Sequence, residues 1–201
     1  MNKKIMIGSL ALSLGLVSAG SGAMAASAPL VNPTVIKTVA VSVPGKEGPA
    51  TINNLTVKSI IPLVVHAKAL YIYSNHGGNA YNPETFQYNG AEYRYLSSDI
   101  GTKQKLMNYI KRGYTSNAAA FYVQTQYLER NGRMAQVNVD LGNSLAYEKA
   151  TAKMVSKNAT AAVFELTVPH QGGQGASELV TVKLKKVSGF WRIDVSPDTL
   201  L

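Results

Sequence analysis

The chain contains no cysteine, and that absence removes disulfide scaffolds, thiolate metal sites, iron–sulfur clusters and cysteine nucleophiles together. Histidine is almost as scarce, with 3 in 201 residues, so metal and acid–base chemistry have few carriers. Tryptophan occurs once and acidic residues number 11 against 20 basic ones, a formal net charge of +9. No G-x-S-x-G, H-E-x-x-H, Walker loop or G-x-G-x-x-G occurs. What is abundant is tyrosine, 11 residues against 4 Phe. Tyrosine is the aromatic that tolerates water, so the excess points to half-buried packing with a few rings on a contact surface. At 46% hydrophobic the chain can fill a core and does not read as a disordered polyelectrolyte.

The N-terminus reads as an address. Lys3 and Lys4 precede an apolar or small run over residues 5–19, and Ala23-Met24-Ala25 offers the small residues a signal peptidase reads. At about 15 residues the run falls short of the ~20 needed to span a bilayer. The expectation is a secretory signal peptide over 1–25, an extended leader over 26–54 rich in Pro and Gly, and one domain over 55–201. Export without cysteine fits a secreted protein at a Gram-positive surface, where a basic chain meets anionic wall polymers. Nucleic acid, the other partner of a basic chain, is excluded by export, and stable membrane insertion by cleavage of the signal.

Periodicity organises the rest. Ser59-Ile-Ile-Pro62 opens a helix, with Ser59 as N-cap and Pro62 in the first turn, and His76-Gly77-Gly78 closes it. Strands over 85–88 and 92–96 flank Asn89-Gly90, a two-residue hairpin signal. A second helix spans 101–112 behind the caps Ser97, Ser98 and Asp99, and a short third follows Ser116. From Tyr127 the period is two: strands over 127–130 and 133–139 about Asn131-Gly132, then long strands over 146–155, 161–168, 179–185 and 190–195. The class is α+β, with N-terminal helices and a short hairpin packed on a long twisted antiparallel sheet whose wet face is lysine-rich.

Chemistry-bearing residues are sparse. His66 lies among apolar neighbours on the first helix, which suits packing better than catalysis, and the spacing of His66, His76 and His170 predicts no zinc site. Gln171-Gly-Gly-Gln-Gly175 opens no helix, so it reads as a hairpin loop and not a phosphate cradle. The acid pairs Asp194/Asp198 and Glu129/Asp140 are weak candidates for paired-carboxylate catalysis, which needs two carboxyls about 5–5.5 Å apart in a cleft, and read instead as surface acids that partner lysines. Neither an enzyme nor a cofactor is expected. Two features suit contact with a partner. Glu92-Tyr-Arg-Tyr95 places Tyr93 and Tyr95 together on one face of a short strand. Asp140, Leu141, Gly142, Asn143 and Ser144 form a break between strands, narrow enough to enter a groove or to serve as a plain connection.

Phe86-Gln-Tyr-Asn-Gly-Ala-Glu-Tyr-Arg-Tyr-Leu-Ser-Ser-Asp-Ile100, Lys103-Gln-Lys-Leu-Met-Asn-Tyr-Ile-Lys111 and Asn131-Gly-Arg-Met-Ala-Gln136 resemble the IseA family. Leu166-Thr-Val-Pro169 and Gly189-Phe-Trp-Arg-Ile193 are similar as well, so the likeness covers roughly 55–197. The resemblance implies a two-lobed domain with a cleft, and a secreted inhibitor of cell-wall D,L-endopeptidases, the autolysins that turn over peptidoglycan. It implies blockade of a papain-like cysteine–histidine groove; the loop over Asp140 to Ser144 is the region we assign to that role. The alternative is a module whose cleft holds a wall glycan or small apolar ligand.

Overall fold

The computed structural model describes residues 48–79, 82–139, 142, 144–173 and 175–200. The expected signal peptide and all but the last residues of the leader lie outside this set. Helix α1 (Val57–Asn75) starts three residues earlier than the spacing suggested, because Thr56 and not Ser59 is the N-cap. The Thr56 hydroxyl accepts from Ser59 N at 3.2 Å, and the Ser59 hydroxyl accepts from Thr56 N at 2.8 Å, a reciprocal box. Pro62 therefore sits inside the helix and leaves the Lys58 carbonyl without its helical donor, where both residues are exposed and water can serve. Ile60, Leu63, Val64, Ala67, Leu70 and Tyr71 recur at three- and four-residue steps and are all buried.

Helix α2 (Lys103–Ile110) is shorter than expected and is capped by Thr102, whose hydroxyl accepts from Lys105 N at 3.3 Å. Ser97 and Asp99 instead shape the turn before it. Helix α3 (Ser116–Gln126) is capped in the same way by Thr115.

The class is α+β, and the strands form two four-stranded antiparallel sheets. In the first, order β1-β2-β4-β3, two hairpins join side by side: β1 (Thr85–Tyr88) with β2 (Ala91–Tyr95), and β3 (Leu128–Arg130) with β4 (Arg133–Val137). The seam is Tyr93↔Val137 and Tyr95↔Ala135. The second sheet runs in chain order through β5 (Thr151–Lys157), β6 (Ala161–Val168), β7 (Glu178–Val187) and β8 (Phe190–Ile193). The turns at Asn89-Gly90, Asn131-Gly132 and Ser188-Gly189 all have positive φ at both residues, the geometry that matches strand twist.

One expected strand is displaced. Residues 147–149 form a 3₁₀ turn, and pairing begins only at Thr151. Tyr147 causes this: its ring is fully buried, with its hydroxyl donating to the Leu200 carbonyl, so the alternation read from Ala146 onward is broken. The core lies between α1, α3 and the inner face of the second sheet, where Phe164, Leu166, Val182, Leu184, Trp191 and Ile193 are all buried. Each large side chain so buried contributes about 1.5–3 kcal/mol relative to exposure. Tyrosine supplies much of the rest. Tyr114 donates to the Ala67 carbonyl at 3.2 Å, and Tyr122 and Tyr127 share a hydroxyl contact at 3.1 Å. The end of the leader packs here too: Trp191 N and Nε1 donate to the carbonyls of Ile52 and Asn53 at 2.8 and 3.0 Å.

Candidate functional site: a braced loop beside a groove

β4 delivers the chain through Asn138 and Val139 to the loop at 140–144. Arg94 holds that entry. It is 8% exposed, and it alternates with Tyr93 and Tyr95, so it points to the other face of β2. Its Nη2 donates to Asn75 O at 2.5 Å and to Val139 O at 3.2 Å, and its Nη1 to Asn138 Oδ1 at 3.3 Å. The Asn138 amide in turn donates to the Glu92 carboxylate at 2.5 Å.

The exit is held from α1. Lys68 is buried, and its ammonium donates to Leu145 O at 2.5 Å while lying 5.4 Å from the Tyr147 ring centre. Burial lowers its pKa, opposed by the Glu148 carboxylate. Backbone bonds complete the root: Gln171 N to Ser144 O at 2.6 Å and Ala146 N to Pro169 O at 2.8 Å. His170 adds a side-chain brace, with Nδ1 2.9 Å from Ser144 Oγ and Nε2 3.5 Å from Glu178 Oε1. These are the residue types of a hydrolytic triad. The serine, however, meets Nδ1 and the acid stands at Nε2, the reverse of the usual arrangement. The visible work of the cluster is to tie the loop to the start of β7.

Of the residues expected at the site, Gly142 and Ser144 are exposed, and Asp140, Leu141 and Asn143 lie outside the described residues. Gly142 and Ser144 line a groove of about 600 Å³ whose other wall is the start of β7 and the short helix α4 (Pro197–Leu200). Tyr93 and Tyr95 lie on the opposite face of the first sheet from Arg94. Tyr93 stacks on Phe86 at 5.7 Å and meets Tyr88 edge-on at 5.9 Å. Tyr95 is 7% exposed beneath Arg133, whose guanidinium stands 3.7 Å from the ring centre. Tyr93 thus flanks the strand that launches the loop, while Tyr95 supports the aromatic face from below.

Sequence reasoning missed the two cations that hold the loop. Lys68 had a signal: it is a lysine in register with Val64 and Tyr71 on an apolar helical face. Arg94 had a weaker one, its alternation between two tyrosines. Asp194 is a structural acid, accepting from Thr115 at 2.8 Å and pairing with Lys185 at 2.7 Å.

The described residues thus show an α+β domain in which Val139 and Leu145, on either side of 140–144, are both held by buried cations beside a groove. The chain belongs to the IseA D,L-endopeptidase inhibitor family, whose model matches residues 51–197. Uncharacterized protein YoeB of Bacillus subtilis (strain 168) is similar to it, 31% identical over 111 residues, which is 55% of this chain and 61% of the relative. The chain thus spans about three-fifths of that relative's length.

Proposed function

We propose that this protein is an exported inhibitor of cell-wall D,L-endopeptidases that fills the enzyme's catalytic groove with its 140–144 loop and so restrains peptidoglycan turnover. Family membership supports the target class. The observation that carries the mechanism is the bracing of the loop by Arg94 at Val139 and by Lys68 at Leu145. Holding the two flanks in place before binding lowers the entropy lost when the segment between them docks. In this reading the target is papain-like, and Asp140 stands in for the carboxylate of its γ-linked substrate. The basic charge of the chain holds it near anionic wall polymers.

The test is titration of the chain without residues 1–25 into a wall D,L-endopeptidase, following peptide release from sacculi. Stoichiometric inhibition is expected, with Asp140→Ala weaker by about tenfold or more, the scale of one lost charge-assisted contact. Undiminished inhibition by that variant removes the role of Asp140. The groove favours a second reading, a site for a wall glycan fragment or a small apolar ligand. That reading predicts a rise in Tm with soluble wall fragments and no effect on hydrolysis.

A further inference from the structure

The two edges of β7 are not equally covered. β6 pairs along residues 178–185, whereas β8 pairs only along 184–187, with one further bond from Asp194 N to Lys183 O at 2.8 Å. Lys186 N donates to Thr160 O at 2.8 Å on the β6 side, which fixes the phase of the ladder. Val180 and Val182 therefore turn their N–H and C=O groups to β6, and Leu179 and Thr181 turn theirs away from it. Among the described residues nothing pairs with those four groups. They border the groove that Gly142 and Ser144 line from the other side, and Leu179 is 68% exposed there.

We propose that an extended segment of the target endopeptidase adds to β7 at Leu179 and Thr181 as a further strand, in line with β8. The proposal rests on the inhibitor reading. Donors and acceptors two residues apart along a strand, about 6.8 Å, match the backbone of another strand. A glycan offers no such repeat. Uncapped edges are normally blunted by charge or proline, and neither Leu179 nor Thr181 does that. The groove also carries the carboxylates of Glu178, 3.5 Å from His170 Nε2, and of Asp198, which accepts from Gln126 Nε2 at 3.0 Å and from Ser196 Oγ. These acids on a chain of net positive charge favour an added segment that bears a lysine or arginine.

The experiment is residue-resolved amide exchange on the chain without residues 1–25, alone and with saturating D,L-endopeptidase. Leu179 and Thr181 amides are expected to exchange quickly in the free protein and at least about a hundredfold more slowly in the complex. Val180 and Val182 are slow in both states. Inhibition with Leu179 and Thr181 unprotected overturns strand addition and leaves the inhibitor reading standing. Absence of any complex overturns both. Slowing of the same amides by soluble glycan fragments alone overturns the peptide occupant. As a second probe, Thr181→Pro removes a groove-facing N–H and no β6 bond, a position where proline is tolerated. It is expected to weaken inhibition by about tenfold or more while the free variant still melts cooperatively. Unchanged inhibition by a folded Thr181→Pro counts against the proposal.

Discussion

At the scale of single residues, a half-buried histidine and a buried lysine set behaviour that composition hides. His66 packs on α1 with its Nε2 buried and no hydrogen-bond partner among the described residues. Burial lowers its pKa below the usual 6.5, and the charges of Arg112 and Arg192 lower it further. The folded protein thus holds fewer protons than the unfolded chain once the pH falls below the ordinary value. Stability is full above that value, declines as pH falls through it, and levels off once the folded imidazole is protonated too. Thermal melts from about pH 7 to pH 5 are expected to show a falling Tm, with a shallower fall in His66→Gln. An equal slope in both proteins assigns the acid sensitivity elsewhere. Lys68 gives a separate prediction. Lys68→Met keeps the apolar stem and removes the donor to Leu145 O. Its melt is expected to shift by less than about 1 kcal/mol, since the cost of burying an ammonium disappears with it. Its inhibition is expected to weaken by about tenfold, since the exit of the loop is freed.

At the scale of elements, what was legible was local and what was lost was non-local. The Asn89-Gly90 and Asn131-Gly132 signals located two hairpins, and the period of two from Tyr127 onward located the strands of the second sheet. Nothing local says that β4 pairs with β2 through Tyr93↔Val137, the pairing that joins two hairpins into one sheet. The 3₁₀ turn at Tyr147 was invisible for the same reason, because its cause is the distant Leu200 carbonyl. The loop at 140–144 was legible as a break, but its supports were not, since Lys68 and Arg94 meet it across 77 and 45 residues. Glycines test how tightly the elements join. A Cβ at Gly78, where φ is +84°, would lie 2.0 Å from Ser97 Oγ and 3.0 Å from Ile100. At Gly90, with φ +80°, it would meet nothing within 4 Å. Gly90→Ala is expected to cost about 1 kcal/mol, from backbone strain alone. Gly78→Ala adds a clash where the end of α1 meets the turn before α2, and is expected to cost about 2–4 kcal/mol in urea melts. Equal midpoints for the two variants would show that the close approach at Gly78 relaxes freely.

At the scale of the whole molecule, the charge asymmetry gives a prediction separable from the loop. The outer face of the second sheet presents Lys153 and Lys183 to solvent, with Lys153 loosely paired to Glu165 at 3.8 Å. A surface ion pair at that distance is worth little, so these charges stay available to an anionic partner. Attraction of exposed lysines to wall polymers is long-ranged and screened: the Debye length shrinks from about 8 Å at physiological salt to about 3 Å at 1 M. The chain is therefore expected to sediment with purified sacculi at low salt and to be released as salt approaches about 1 M. Lys153→Gln with Lys183→Gln should release it at lower salt. Inhibition of a soluble endopeptidase acting on a small peptide should respond less to the same salt series, because charges enclosed in the inhibitory contact, Asp140 among them, are screened less than exposed lysines. If wall retention and inhibition instead decline together across the series, with the double variant impaired in both, the lysine face belongs to the inhibitory interface itself and wall attachment is not a separate function.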